Sequence, residues 1–177
     1  MNRFSFFVAV FLLCVVNTYA VKVVDVNSIC KNVVNPPFCL KFLKLKQGVD
    51  LVTLAQYTIN VARIKATSIV NLTTTLISQG DIGVVAKAHY EICLEYFGSS
   101  GALRELKYAE EYLKGGDYFS LKEQVRYLIN DYANCVSTES SSRDEPFDDK
   151  TRIPKWAESI KDFAFILISI SDFLLKK

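Results

Sequence analysis

The residues with the greatest chemical potential are five cysteines and a single histidine. Cys30 and Cys39 are nine positions apart, while Cys93 and Cys135 each stand alone. Structural zinc sites usually place two ligands two to four residues apart, and dithiol redox motifs separate two cysteines by two residues. Neither spacing occurs among these cysteines. The pattern therefore favours structural disulfides over a metal site or a redox centre.

The sequence offers little support for catalysis. A nucleophilic triad would need His89 beside a nucleophile and a carboxylate, and no motif supplies that arrangement. Glu91 and Glu95 share one helix face and could form an acid–base pair, although solvated surface charge is the simpler interpretation. No glycine-rich phosphate loop follows a strand. We therefore predict that the protein is not an enzyme and requires no metal or cofactor.

The charge distribution argues against two further classes of partner. The formal net charge is +2, with neither a polybasic block nor an acidic tail. Basic residues are not interleaved with aromatic residues in the manner of nucleic-acid-binding proteins. Nucleic acids and anionic membranes are therefore not expected partners.

The N-terminus has the pattern of a secretory signal peptide. Arg3 precedes an apolar run from Phe4 to Val16, and Thr18-Tyr19-Ala20 offers a small-x-small cleavage site. The run is shorter than the roughly 20 residues that a membrane-spanning helix needs. We predict that residues 1–20 are removed, together with Cys14, leaving one domain at 21–177. Four cysteines then remain in an oxidising compartment, where disulfides form.

The periodicity of the mature chain is helical. Apolar residues recur at helical spacing in five stretches, which lie at about 51–76, 82–97, 103–113, 121–135 and from Pro154 onward. In the fourth stretch the stripe is Leu121, Val125, Leu128 or Ile129, Tyr132 and Cys135. We predict an all-α fold, an up-and-down four-helix bundle with an N-terminal helical hairpin and two disulfides.

Four cysteines allow three pairings, and local geometry selects one of them. Asn35-Pro36-Pro37 forces a turn between Cys30 and Cys39, because a residue before proline avoids the helical region. Cys93 and Cys135 lie on two helical stripes, each about 20 residues from a turn at Gly115-Gly116. Antiparallel packing would bring them to the same height. The predicted bridges are Cys30–Cys39 and Cys93–Cys135.

Several segments resemble one known family, the plant invertase and pectin methylesterase inhibitors. They are "ICKNVVNPPFC", "YEICLEYF", "LKGGDYFSL" and the cysteine in "YANCVS". This resemblance extends over essentially the whole mature chain. It implies a secreted four-helix bundle that inhibits its target by covering the target's substrate cleft with a helical face, without catalytic groups of its own.

The resemblance also bears on the target. Invertase inhibitors resemble one another in a Pro-Lys-Phe near the turn after the third helix, where this chain has Asp117-Tyr118-Phe119. The "GDY" of this chain is more like the methylesterase branch, which implies pectin methylesterase as the target. The alternatives are a cell-wall or vacuolar invertase, or a diverged extracellular helical protein that inhibits neither enzyme.

Candidate target-binding residues follow from the same resemblance: Glu91, Glu95, Asp117, Tyr118 and Asn134. Glu95 matches an acid two residues after the third cysteine of the methylesterase branch. Asn134 stands where that branch carries a threonine, which is a departure from its pattern.

Three further expectations complete the prediction. The stretch Gly98–Gly101 should bend or break a long helix, because each glycine costs roughly 1 kcal/mol relative to alanine there. Asn71-Leu72-Thr73 is a glycosylation sequon, usable if Asn71 is exposed. The protein should act in the apoplast or cell wall and should be a monomer when free.

Overall fold

The computed structural model describes residues 23–136 and 147–176. The predicted signal peptide lies outside these residues. Helical segments follow one another along the described chain, joined by turns and short loops, with a 3₁₀ turn at Lys44–Lys46 after the second. The α-helices are α1 (Val26–Cys30), α2 (Pro36–Leu43), α3 (Leu51–Ser78), α4 (Val84–Phe97), α5 (Ala102–Gly115), α6 (Tyr118–Val136) and α7 (Ile153–Leu175).

The long helices form the predicted bundle. α3 packs against α7 on one side and against α4 and α5 on the other, while α6 packs against α5, α4 and α7. Helices that follow one another in the chain are therefore neighbours around the bundle, as in an up-and-down topology. α4 and α5 together occupy the place of one long helix. The all-α four-helix bundle is confirmed.

Helix α3 shows why the sequence forms this core. Asp50 caps its first turn by accepting a hydrogen bond from the Thr53 N–H at 2.9 Å. The buried stripe includes Leu54, Thr58 and Ala62, in steps of four. The Thr58 hydroxyl donates to the Leu54 carbonyl at 2.8 Å, so the buried stripe leaves this polar group satisfied.

The N-terminal hairpin packs on the bundle through rings and hydrogen bonds. The Cys30–Cys39 disulfide closes it, with a Cα–Cα distance of 5.4 Å. The side chain of Asn35 caps α2 by accepting from the Phe38 N–H, and its amide donates to buried Asp162 of α7 at 3.0 Å. The Ser169 hydroxyl donates to the Ile29 carbonyl at 2.9 Å. The turn at Asn35-Pro36-Pro37 therefore allows the disulfide to close the hairpin and also attaches the hairpin to α7.

The predicted break at Gly98–Gly101 is confirmed. α4 ends at Phe97 and α5 begins at Ala102, and both of these residues are fully buried. The backbone folds back closely here: a Cβ at Gly101 would lie 2.9 Å from Cα of Tyr96 and would overlap its carbonyl oxygen. Only glycine fits this approach without moving the backbone.

Within the described residues, none of the helices is long and apolar enough to cross a membrane.

The close approach at Gly101 predicts a large cost for adding one methyl group. Gly101→Ala should destabilise the protein by at least about 2 kcal/mol, because backbone must move to relieve the overlap. Gly115→Ala is the matched control, since a Cβ there has no neighbouring atom within 4 Å. Thermal unfolding of the two variants measures the difference. Equal unfolding temperatures would contradict the described break.

Candidate interaction surface

The Cys93–Cys135 disulfide fixes the position of two of the predicted contact residues. It joins α4 to α6 with a Cα–Cα distance of 4.5 Å. Glu95 lies two residues from Cys93 and Asn134 immediately precedes Cys135, and both side chains are exposed. The structure thus brings one part of the predicted set together at the disulfide end of α6.

Glu91 belongs to the same end and is also exposed. Its carboxylate lies 3.9 Å from the ammonium group of Lys87, one helical turn earlier. An exposed pair of this kind contributes little to stability, so Glu91 remains available for another partner.

Asp117 and Tyr118 lie at the opposite end of α6. Asn134 is 16 residues from Tyr118, which corresponds to about 24 Å along a helix that rises 1.5 Å per residue. The five predicted residues therefore form two separate clusters. One binding partner could contact both only by covering the whole length of α6.

Asp117 has a structural role at the turn between α5 and α6. Gly116 adopts φ of 71°, and the N–H of Asp117 donates to the Tyr112 carbonyl at 3.0 Å, which closes α5 with a Schellman motif. The Asp117 carboxylate then accepts from the Ser120 N–H at 3.0 Å and caps α6. This bond from the Ser120 backbone lowers the pKa of Asp117. Tyr118 is half-buried against the core.

A groove between α5 and α6 lies along the part of α6 between the two clusters. It has a volume of about 410 Å³ and is lined by Arg104, Glu105, Tyr108, Gln124 and Tyr127. Tyr108 is 41% exposed and Tyr127 is 55% exposed, one on each helix. The groove thus presents two large aromatic side chains and an arginine to solvent.

Two buried carboxylates lie beneath this groove. Glu105 is 6% exposed and Asp131 is 8% exposed. The Arg104 guanidinium donates to Oε1 of Glu105 at 2.8 and 3.0 Å, and the Gln124 amide donates to its Oε2. Oδ2 of Asp131 is buried and accepts no hydrogen bond from any residue in the described ranges. Burial, followed by the charge of Glu105, raises the pKa of Asp131 to about 7, although Arg104 opposes the shift.

His89 lies beside the disulfide and holds a neighbouring segment in place. Its ring packs on Phe147 at 4.9 Å between centroids, and its Nε2 lies 3.4 Å from Oδ2 of Asp149. The N–H of Thr151 donates to Oδ1 of Asp149 at 2.8 Å. Burial alone would raise the pKa of Asp149, but His89 and Thr151 together lower it. This arrangement fits a structural role for His89.

Sequence reasoning missed the groove and the acids beneath it. The apolar stripe placed Tyr132 on the buried face of α6, whereas the structure buries Asp131 and leaves Tyr132 half-buried. Asp131 occurs three residues after Leu128 and four before Cys135, so its spacing alone was consistent with burial. Because aspartate is usually exposed, the sequence pattern did not identify Asp131 as buried.

The glycosylation sequon lies on α3. Asn71 is exposed there, while Thr73 is fully buried and its hydroxyl donates to the carbonyls of Ile69 and Val70. Attachment of a glycan at Asn71 stays a prediction. In the described residues, no group of three or more histidine, cysteine or acidic side chains is arranged to hold a metal ion.

The family relationship follows from the sequence pattern, the fold and a family model. The model described as "Plant invertase/pectin methylesterase inhibitor" matches residues 24–170, which include the hairpin, the bundle and all four predicted disulfide cysteines. The chain belongs to this family. Its membership confirms the resemblance carried by the cysteine-containing segments.

Individual members of the family agree with this assignment. The chain is 27% identical to "Pectinesterase inhibitor 1" of Arabidopsis thaliana over 165 residues, 93% of this chain and 90% of the relative. A crystal structure of a mutant pectin methylesterase inhibitor from Arabidopsis matches with a TM-score of 0.72 and 26% identity, covering 82% of this chain and 93% of that one. A second Arabidopsis inhibitor structure gives a TM-score of 0.63 at 25% identity, covering 86% and 97%. These relatives are named inhibitors, in agreement with the prediction of a non-enzyme.

The buried carboxyl group of Asp131, beneath the groove, should make the stability of the protein depend on pH. The folded state holds a proton on Asp131 up to about pH 7, whereas an unfolded chain releases it near pH 4. Stability from this group is therefore complete below about pH 4 and is lost as the pH rises towards 7. The total change is on the order of 4 kcal/mol, since each unit of difference between the two pKa values corresponds to about 1.4 kcal/mol.

Asp131→Asn should remove this dependence. The variant should lose less stability than the native protein between pH 4.5 and pH 7.5, measured by thermal unfolding. Glu111→Gln, an exposed substitution on α5, serves as a control and should follow the native curve. Parallel curves for the native protein and Asp131→Asn would show that Asp131 does not titrate in this range.

Proposed function

We propose that the protein inhibits pectin methylesterase by covering the enzyme's substrate cleft with the outer face of α4, α5 and α6. The principal support is its membership of the inhibitor family, together with relatives named for pectin methylesterase inhibition. An inhibitor of this kind needs a rigid surface and no catalytic group. The invertase alternative is not favoured by these relatives.

The groove supplies the side chains that usually carry binding energy in a protein interface. Tyrosine and arginine are enriched among interface residues whose truncation costs most affinity. Tyr108 and Tyr127 project from two packed helices and have only two side-chain torsions each, so ordering them costs little conformational entropy. Arg104 is oriented by its ion pair with Glu105 and lines the same groove as the two rings.

The two outer clusters extend this surface. We place Glu91, Glu95 and Asn134 at one margin of the contact and the Asp117–Tyr118 turn at the other. The distance of about 24 Å between the margins, from the helical rise of α6, suits a standard protein interface of about 800 Å² per partner. Exposed charges at a margin affect association rate and specificity more than affinity.

The proposed location follows from the same target. The predicted signal peptide at residues 1–20 would deliver the protein to the apoplast, where pectin and its esterases are found. The oxidising environment there maintains both disulfides. We expect the free inhibitor to be a monomer.

The proposal is tested by a paired inhibition assay on one preparation of purified secreted protein. Pectin methylesterase at mildly acidic pH should lose activity at micromolar inhibitor or below. An acid invertase with sucrose as substrate should not. The reverse result would assign the protein to invertase, and activity of both enzymes at micromolar inhibitor would indicate a non-inhibitory protein.

Variants of the groove test the proposed face. Tyr108→Ala and Tyr127→Ala should each weaken inhibition at least tenfold, because each removes a large side chain from the centre of the contact. Ile64→Ala is the matched control, since Ile64 is 64% exposed on α3, outside the proposed face. A tenfold loss in the control with none in the tyrosine variants would place the contact elsewhere.

A further inference from the structure

The N-terminal hairpin concentrates positive charge. Residues 26–49 contain four lysines and neither aspartate nor glutamate, although the formal net charge of the whole chain is only +2. The remainder of the chain is therefore net negative. The hairpin therefore carries a local excess of positive charge, between Asp25 and Asp50, that can attract an anionic partner.

The lysines of the hairpin are not committed to acids of the same protein. Lys31, Lys41 and Lys44 are exposed, and none forms an ion pair within residues 23–136 and 147–176. On α4 to α6, by contrast, the lysines are in ion pairs: Lys87, Lys107, Lys114 and Lys122. The free ammonium groups of the hairpin are thus available to an external anion.

The three lysines lie in, or just after, the hairpin that the disulfide closes. Lys31 follows Cys30 and Lys41 lies two residues after Cys39, and the Cα atoms of the two cysteines are 5.4 Å apart. Lys44 is three residues after Lys41, on the same side of the helical turn. Lys46 lies 4.4 Å from the centre of the Tyr57 ring, at the edge of the same patch.

The apolar side of the hairpin is already used. The ring of Phe38 packs on Phe163 at 5.4 Å, and the ring of Phe42 packs on Tyr57 and Phe163 at 5.1 and 4.7 Å. A membrane-surface helix needs an apolar face free to enter the lipid. The partner of this patch must therefore be attracted by charge, which favours a flexible, hydrated polyanion over a bilayer.

We propose that Lys31, Lys41 and Lys44 bind a linear polysaccharide that carries carboxylates, namely de-esterified galacturonan. The choice of polymer rests on the proposed function, since removal of methyl esters by pectin methylesterase leaves carboxylates on pectin. Each lysine makes a weak, screened contact with one carboxylate, and several contacts on one chain add through multivalency. The hairpin packs on α7 and on Tyr57 of α3, away from the groove, so it can hold the inhibitor near its target's product.

The test is retention of the purified secreted protein on immobilised polygalacturonate at pH 5 and low ionic strength, with no enzyme present. The native protein should be retained and released by moderate salt. Lys31→Gln/Lys41→Gln/Lys44→Gln should bind at least tenfold more weakly. The control, Lys150→Gln/Arg152→Gln/Lys155→Gln, removes equal charge near the start of α7 and should behave like the native protein. Thermal unfolding confirms that both variants are folded.

Three results would overturn the proposal. Equal losses in the two variants would show that net charge alone governs retention. Equal retention on fully methyl-esterified pectin would exclude carboxylate recognition. Binding to anionic lipid vesicles without binding to polygalacturonate would identify a membrane as the partner. Because the enzyme is absent, none of these results bears on inhibition, and loss of inhibition would not affect retention.

Discussion

The disulfide between Cys93 and Cys135 is the constraint on which the rest of the proposed surface depends. It closes a loop with a sequence separation of 42 residues, which corresponds to about 4 kcal/mol of loop entropy in the chain-entropy model. The same loop contains the helix break, α5, the Gly116 turn and α6. Clamping its ends fixes α4 against α6, so that the groove between α5 and α6 has rigid walls.

The proposed surface is rigid, but two buried carboxyl groups beneath it are unfavourable when both are charged. The helix caps at Gly116 and Asp117 fix the turn between α5 and α6. The close approach of Gly101 to the backbone of Tyr96 fixes the break between α4 and α5. Beneath the groove, however, Glu105 and Asp131 place two carboxylates where the core would otherwise be apolar. Such a pair favours protonation of Asp131 and so favours acidic conditions. A protein that works in the mildly acidic apoplast would retain its most stable form there.

The sequence predicted those features that local chemistry determines. Helical periodicity, the proline turn and the glycine stretch each act within a few residues, and the symmetric spacing of Cys93 and Cys135 around the turn identified their bridge. The groove could not be predicted in this way. Tyr108 and Tyr127 are ordinary outward helix positions until α5 and α6 are packed together. The spacing of Asp131 is that of a buried position, whereas an aspartate is usually exposed. Only the packing of α6 against its neighbours determines that Asp131 is buried.

The central claim is that the α5–α6 groove faces the target enzyme. Hydroxyl-radical footprinting of the inhibitor, free and saturated with pectin methylesterase, tests it directly, because the chain offers exposed side chains on several faces. Tyr108, Tyr127 and Phe119 (64% exposed) should be oxidised several-fold more slowly in the complex. Ile64 and Leu45 (90% exposed) should be oxidised at the same rate in both. Protection of Ile64 or Leu45, with the tyrosines unchanged, would contradict the account.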